Sequence, residues 1–88
     1  MTYQIEFVPQ AVEDLNRLDK VITQRLLRRI KWLSENFDSI TPEVLSGDLK
    51  GLFKLRVGSF RVLYTANVQD KLITIHLVGH RRDIYRTA

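Results

Sequence analysis

The residues best equipped for chemistry lie between positions 50 and 86, where Lys50, Lys54, Arg56, Arg61, Arg81, Arg82 and Arg86 are interleaved with His76, His80 and Tyr85. The chain has no cysteine, which excludes disulfides, zinc-thiolate centres and thiol nucleophiles. What remains is cation chemistry: guanidinium forks that grip a phosphate, an amine or imidazole that moves a proton, and a phenol ring that stacks on a base. The carboxylates of this half are Asp48, Asp70 and Asp83, at turns or the terminus and without ligand spacing. A metal-dependent reaction would find little there to hold its ion.

Strand periodicity positions these groups. From Leu52 to Val57, Phe53, Leu55 and Val57 point one way and Lys54 and Arg56 the other, because successive strand residues alternate faces. Gly58-Ser59 suits a type II′ hairpin, which sets Val57 opposite Phe60, Leu55 opposite Val62 and Phe53 opposite Tyr64. On the reverse face Arg56 then falls opposite Arg61, with Lys54 one pair further along. Like charges directly opposed across a sheet are unfavourable, so an anionic partner or free splaying into water must relieve the pair. After a polar turn at Asn67 to Asp70, a last strand continues the core face with Ile73, Ile75 and Leu77. A turn centred on Val68-Gln69 would set His76 opposite Arg61. The segment Gly79 to Arg86 leaves this strand and is expected to cross the edge of the cationic face.

Upstream, Tyr3, Ile5 and Phe7 alternate with Gln4 and Glu6 in a first strand ending at Pro9. A short helix with Val12, Leu15 and Leu18 as its apolar stripe follows, Pro9 standing near its start, where a missing amide hydrogen costs little. Ile22, Leu26, Ile30, Leu33 and Phe37 then recur as one buried helical face from about Lys20 to Asn36. Arg25, Arg28, Arg29 and Lys31 read as its solvated side. Trp32 lies off the stripe and reads as packing on the neighbouring helix, or as an anchor for a partner peptide. Turn formers between Asp38 and Gly51 mark a loop. The order is strand, two helices, then a three-stranded antiparallel meander: an α+β domain with one mainly antiparallel sheet and helices packed on one face.

A chain of 88 residues supports one compact domain, taken here as residues 1–88. No apolar run approaches membrane-spanning length, and the first ten residues lack the pattern of a signal peptide, so a cytoplasmic protein is expected, with no membrane partner. Residues 1–47 carry six Lys/Arg against seven Asp/Glu, a net of −1, whereas residues 48–88 carry eight against three, a net of +5. A basic half on a basic domain favours a polyanionic partner, either nucleic acid or an acidic protein segment.

Two stretches together, Leu49-Lys50-Gly51-Leu52-Phe53-Lys54-Leu55-Arg56-Val57-Gly58-Ser59-Phe60-Arg61-Val62-Leu63-Tyr64 and Val78-Gly79-His80-Arg81-Arg82-Asp83-Ile84-Tyr85-Arg86, spaced behind a strand and two helices, resemble the RelE/ParE superfamily of toxins, and in particular its RelE branch. The resemblance implies the RelE-like fold and an mRNA interferase that cuts the codon in the ribosomal A site. It implies as partners the ribosome, mRNA and a RelB-like antitoxin, acidic and partly disordered, with operator DNA bound only by the toxin–antitoxin complex. Family functional residues match Lys54, Arg61, Arg81 and Tyr85, with Arg56 an adjacent cation. Some members carry a further lysine where this chain has Leu52, which leaves open which group takes the proton from the nucleophile, Lys50 included.

The chemistry agrees with that implication and needs no cofactor. RNA supplies its own nucleophile, the 2′-hydroxyl, so cleavage requires positioning, a proton acceptor and stabilisation of developing charge. Arg61 and Arg56 suit the phosphate clamp. Lys54, crowded by two arginines, would be a better proton acceptor than a free lysine. Tyr85 suits base stacking or positioning of the 2′-hydroxyl. Arg81 falls beside the leaving 5′-oxygen by resemblance, although His76 or His80 would titrate nearer neutrality. Lys50, Arg82 and Arg86 extend the RNA-binding surface. Two other readings stand beside this one: a non-nucleolytic poison of DNA gyrase, and a plain nucleic-acid-binding module.

Overall fold

The computed structural model describes residues 2–45 and 51–84. Strand β1 (Gln4–Phe7) leads into helix α1 (Pro9–Asn16) and helix α2 (Lys20–Asn36), which ends in a single 3-10 turn (Phe37–Ser39). Strands β2 (Glu43–Val44), β3 (Phe53–Val57), β4 (Phe60–Asn67) and β5 (Leu72–His80) follow. They form one five-stranded sheet in the order β1-β5-β4-β3-β2, antiparallel except where β1 runs parallel to β5. The expected α+β class and meander are therefore present. The strand β2 is an addition, lying where turn formers indicated only a loop. Two residues are too few to show a periodicity.

Burial explains the elements. Leu26, Ile30, Leu33 and Phe37, the expected face of α2, are all buried against the sheet face made by Leu55, Val57, Val62, Tyr64, Ile73, Ile75 and Val78. Phe37 meets Tyr3 and Tyr64 edge-on, with ring centroids 5.0 and 6.2 Å away, the offset geometry that aromatic quadrupoles favour. Of the expected α1 stripe, Leu15 is buried and Leu18 packs against the core, but Val12 is 45% exposed, and Ala11 and Asp14 point inward in its place. The reason is an edge. Strand β1 pairs with β5 only as far as Phe7 opposite Ile75, and beyond it the Asp14 carboxylate accepts the Val78 N–H at 3.0 Å. A polar side chain of α1 thus completes the sheet where the strand stops, and satisfies a donor that burial would otherwise leave unpaired.

The first hairpin has the expected register, with Val57 opposite Phe60 and Arg56 opposite Arg61. Gly58 takes φ +60° while Ser59 has a negative φ, as a type II′ turn requires. The second hairpin corrects the expectation. Its loop spans Val68 to Lys71, so that Asn67 faces Leu72 rather than the nearer Asp70. The Asn67 side chain holds it through both its amide and its oxygen to Asp70, and Lys71 adopts φ 53°. The longer loop moves the partner of Arg61 from His76 to Val78, and a bulge between Leu63 and Tyr64 moves it once more, to Gly79. The same bulge puts Val78 rather than Leu77 in the core.

The reverse face is less open than the alternation suggested. Leu63, opposite Lys54 and Leu77 on that face, is fully buried yet outside the main core. After β5 the chain turns back, and Ile84, 2% exposed, brings its Cδ1 within 3.5 Å of where a Gly79 side chain would begin. The returning segment thus lies against the strand opposite Arg61, at ordinary contact distance.

Candidate functional site

Four elements bring cations to the free end of the β3–β4 hairpin. The row Arg56, Arg61, Gly79 runs across three strands, so both arginines share a face at neighbouring positions. The backbone N–H of Arg81 donates to the Ser59 carbonyl at 2.8 Å, which ties the start of the C-terminal segment to the hairpin turn. From α2, Arg25 reaches the same turn: a Cβ on Gly58 would lie 3.0 Å from its Nη2. Arg25 is exposed, as a solvated helix face demands, but it also joins the hairpin tip.

The opposed arginines separate rather than clash. Arg61 folds back so that its Nη1 donates to the carbonyls of Gly58 and Phe60 at 3.2 and 3.1 Å. Arg56 leans the other way, its Nε lying 3.6 Å from Glu43 Oε1. The second oxygen of Glu43 lies 3.4 Å from Lys54 Nζ. Glu43 sits on β2 directly opposite Lys54, so one carboxylate bridges the two cations of β3. The anion that relieves the cluster is thus in part the protein's own. It also offsets the crowding from which Lys54 was argued to be the proton acceptor.

Glu43 is the residue that reading the sequence missed. Its strand is too short to register, and its partner lies across a long connection, so only the acidic side chain between two short apolar residues hinted at it. The other candidates fall as follows. His76 is half-buried at the bulge, its Nε2 2.9 Å from Thr65 Oγ1, and lies away from Arg61. His80 pairs with Phe60, on the opposite side of the sheet from Arg61, the two rings meeting edge-on at 5.6 Å. Its Nδ1 accepts the Arg82 N–H at 3.1 Å, which assigns the neutral ring's proton to Nε2. Arg81 and Arg82 are both exposed. Lys50, Tyr85 and Arg86 lie outside the described residues.

Trp32 stands outside the buried core cluster. It is 37% exposed, and the Arg29 guanidinium carbon lies 4.3 Å from its ring centroid. Both line a groove shared with Pro42, Glu43, Lys54 and Arg56, on the side of α2 that looks toward β2 and β3.

The arrangement offers paired guanidinium donors, an exposed backbone turn, an amine and a carboxylate within one hairpin's reach, a set that can bind an anion and move a proton. Comparison with known proteins identifies the family. A RelE-like toxin protein of Escherichia coli is 30% identical over 95 residues, covering 100% of this chain and 95% of the relative. Toxin RelG of Mycobacterium tuberculosis is 31% identical over 90 residues, covering 98% and 99%. Among solved structures, the toxin–antitoxin complex RelBE2 of M. tuberculosis contains a chain that superposes with a TM-score of 0.83 at 27% identity, over 94% of this chain and 95% of that one. The family described as the ParE toxin of the type II toxin–antitoxin system parDE matches residues 5–85. This chain belongs to that family: it is a toxin of a type II toxin–antitoxin system in the RelE/ParE superfamily, with a RelE-like fold.

Proposed function

We propose that the chain is a ribosome-dependent endoribonuclease that cleaves mRNA in the A site and so stops translation. The reading rests on one juxtaposition: Arg56 and Arg61 side by side across the hairpin, Arg81 tied to its turn, and the Glu43 carboxylate between Lys54 and Arg56. In this reading Glu43 takes the proton of the RNA 2′-hydroxyl. The 2′-oxygen bonds to the adjacent phosphorus, the phosphorus–5′-oxygen bond breaks, and the products are a 2′,3′-cyclic phosphate and a 5′-hydroxyl whose proton comes from solvent. Arg56 and Arg61 carry the charge that builds on the phosphate oxygens, Arg81 the charge on the leaving oxygen, and Lys54 holds Glu43 in place. Tyr85, matched by the family resemblance, positions the flanking base.

The test is induced expression with mapping of mRNA 5′ ends on and off ribosomes. New ends inside translated codons, absent in Arg61→Ala and Arg81→Ala variants that still fold, are the expected result. The family match carries the ParE name, which favours gyrase poisoning as the second reading; inhibited gyrase with intact mRNA would establish it instead. The partner in either case is an acidic antitoxin, a reading supported by the RelBE2 neighbour being a toxin–antitoxin complex. Activity is expected to vanish on titration with that antitoxin.

A further inference from the structure

We propose that the Arg29–Trp32 stack is a base-binding subsite, which seats one unstacked nucleobase of single-stranded RNA next to the phosphate-gripping hairpin. This rests on the nucleolytic reading above and adds a place for the nucleotide that flanks the scissile linkage.

Three observations carry it. First, the indole is held at the surface rather than in the core, with a guanidinium 4.3 Å from its centroid. An aromatic ring beside an arginine plane is the pair of surfaces on which splayed bases stack. Second, the stack opens into a cavity of about 210 Å³ that also exposes Pro42, Glu43, Lys54 and Arg56. A strand whose phosphate reached Arg56 and Arg61 would therefore have its neighbouring base within reach of Trp32. Third, the polar wall carries both signs of charge, Glu43 lying 3.4 Å from Lys54 and 3.6 Å from Arg56. A base edge, with donors and acceptors together, uses both. Glu43 repels a phosphate as much as an acidic side chain, but it can accept from the N–H donors of a base edge, which a glutamate or aspartate carboxylate lacks, so the lining favours a nucleotide over an acidic peptide.

Trp32 is the one tryptophan of the chain, and its fluorescence reports this site alone. The full chain is titrated with a 2′-O-methyl hexanucleotide, which cannot be cleaved, with the same strand carrying abasic positions, with inorganic polyphosphate of equal charge, and with a polyglutamate peptide. Saturable quenching by the hexanucleotide is expected, with about tenfold weaker binding for the abasic strand. By anisotropy of a labelled strand, Trp32→Ala is expected to bind about tenfold more weakly and Trp32→Phe close to the parent, thermal melts being used to check folding. Equal quenching by polyphosphate, tighter binding of polyglutamate, or full affinity in Trp32→Ala would each overturn the subsite. The nuclease reading fails separately: hexanucleotide quenching with no mRNA cleavage in cells would refute cleavage and leave the base site intact.

Discussion

Replacing Glu43 by glutamine separates the roles of this carboxylate, because it removes a charge and a proton acceptor while keeping the shape. At an effective dielectric constant of about 20, unit charges 3.4 Å apart attract by roughly 5 kcal/mol. Glu43 is half exposed, and the cost of desolvating and ordering such pairs leaves a net contribution of about 1 kcal/mol at most. The Lys54 side chain, 16% exposed, places this pair toward the upper end of that range. Folding stability should therefore fall by about 1 kcal/mol, read as a drop of about 4–8 °C in Tm for a domain of this size. Affinity for RNA should move the other way. Losing one negative charge within the cationic cluster is expected to tighten binding at low salt and to steepen the dependence of log K on log salt by about 0.7. Cleavage in a translating extract should drop by about 10²–10⁴-fold, the usual worth of a positioned general base. Tighter binding with lost cleavage is the signature expected. A rate within about threefold of the parent would refute the assignment of Glu43 as proton acceptor.

Other perturbations test the scaffold. Asp14→Ala leaves the Val78 N–H without its acceptor and is expected to cost about 1–3 kcal/mol in urea unfolding, with faster hydrogen exchange at the Val78 amide; Asp14→Asn, which keeps an oxygen there, should cost less. Gly58→Ala, at φ +60°, should cost about 1–2 kcal/mol from backbone conformation, since the neighbour it meets is the movable end of Arg25. Stability should also be lost at high pH. Burial pushes the Tyr64 phenol up to about 12, and the hydrogen bond to Asp38 raises that of Tyr3. Both groups are held protonated by the fold, so their contribution is whole below the ordinary value of 10.0 and disappears as pH rises through their folded values. Urea melts across that range, with tyrosinate absorbance, should show stability flat below about pH 10 and falling toward about pH 12. On the acid side the Tyr3 hydrogen bond lowers Asp38 below its ordinary 3.8, so its stabilisation is present above that pH and is lost as pH falls through the folded value. Melts that stayed constant down to about pH 2 would contradict this coupling.

Local chemistry alone determined the parts of this protein that depend on neighbours in the chain. The heptad-like recurrence from Ile22 to Phe37 states a helix and its buried face, and Gly58-Ser59 states both a turn type and the register of the strands around it, because a two-residue loop admits one pairing. The juxtaposition of Arg56 and Arg61 follows from that register, and so was legible before any coordinate. The tertiary structure decided whatever depends on distant segments. Nothing near His76 announces that a four-residue loop and a bulge will carry it away from Arg61. Nothing in α1 announces that Asp14 must turn inward to finish an edge that β1 leaves unpaired. Glu43 is the plainest case: it belongs to a strand of two residues, and its meaning comes wholly from Lys54 and Arg56, which only the closing of the sheet sets against it.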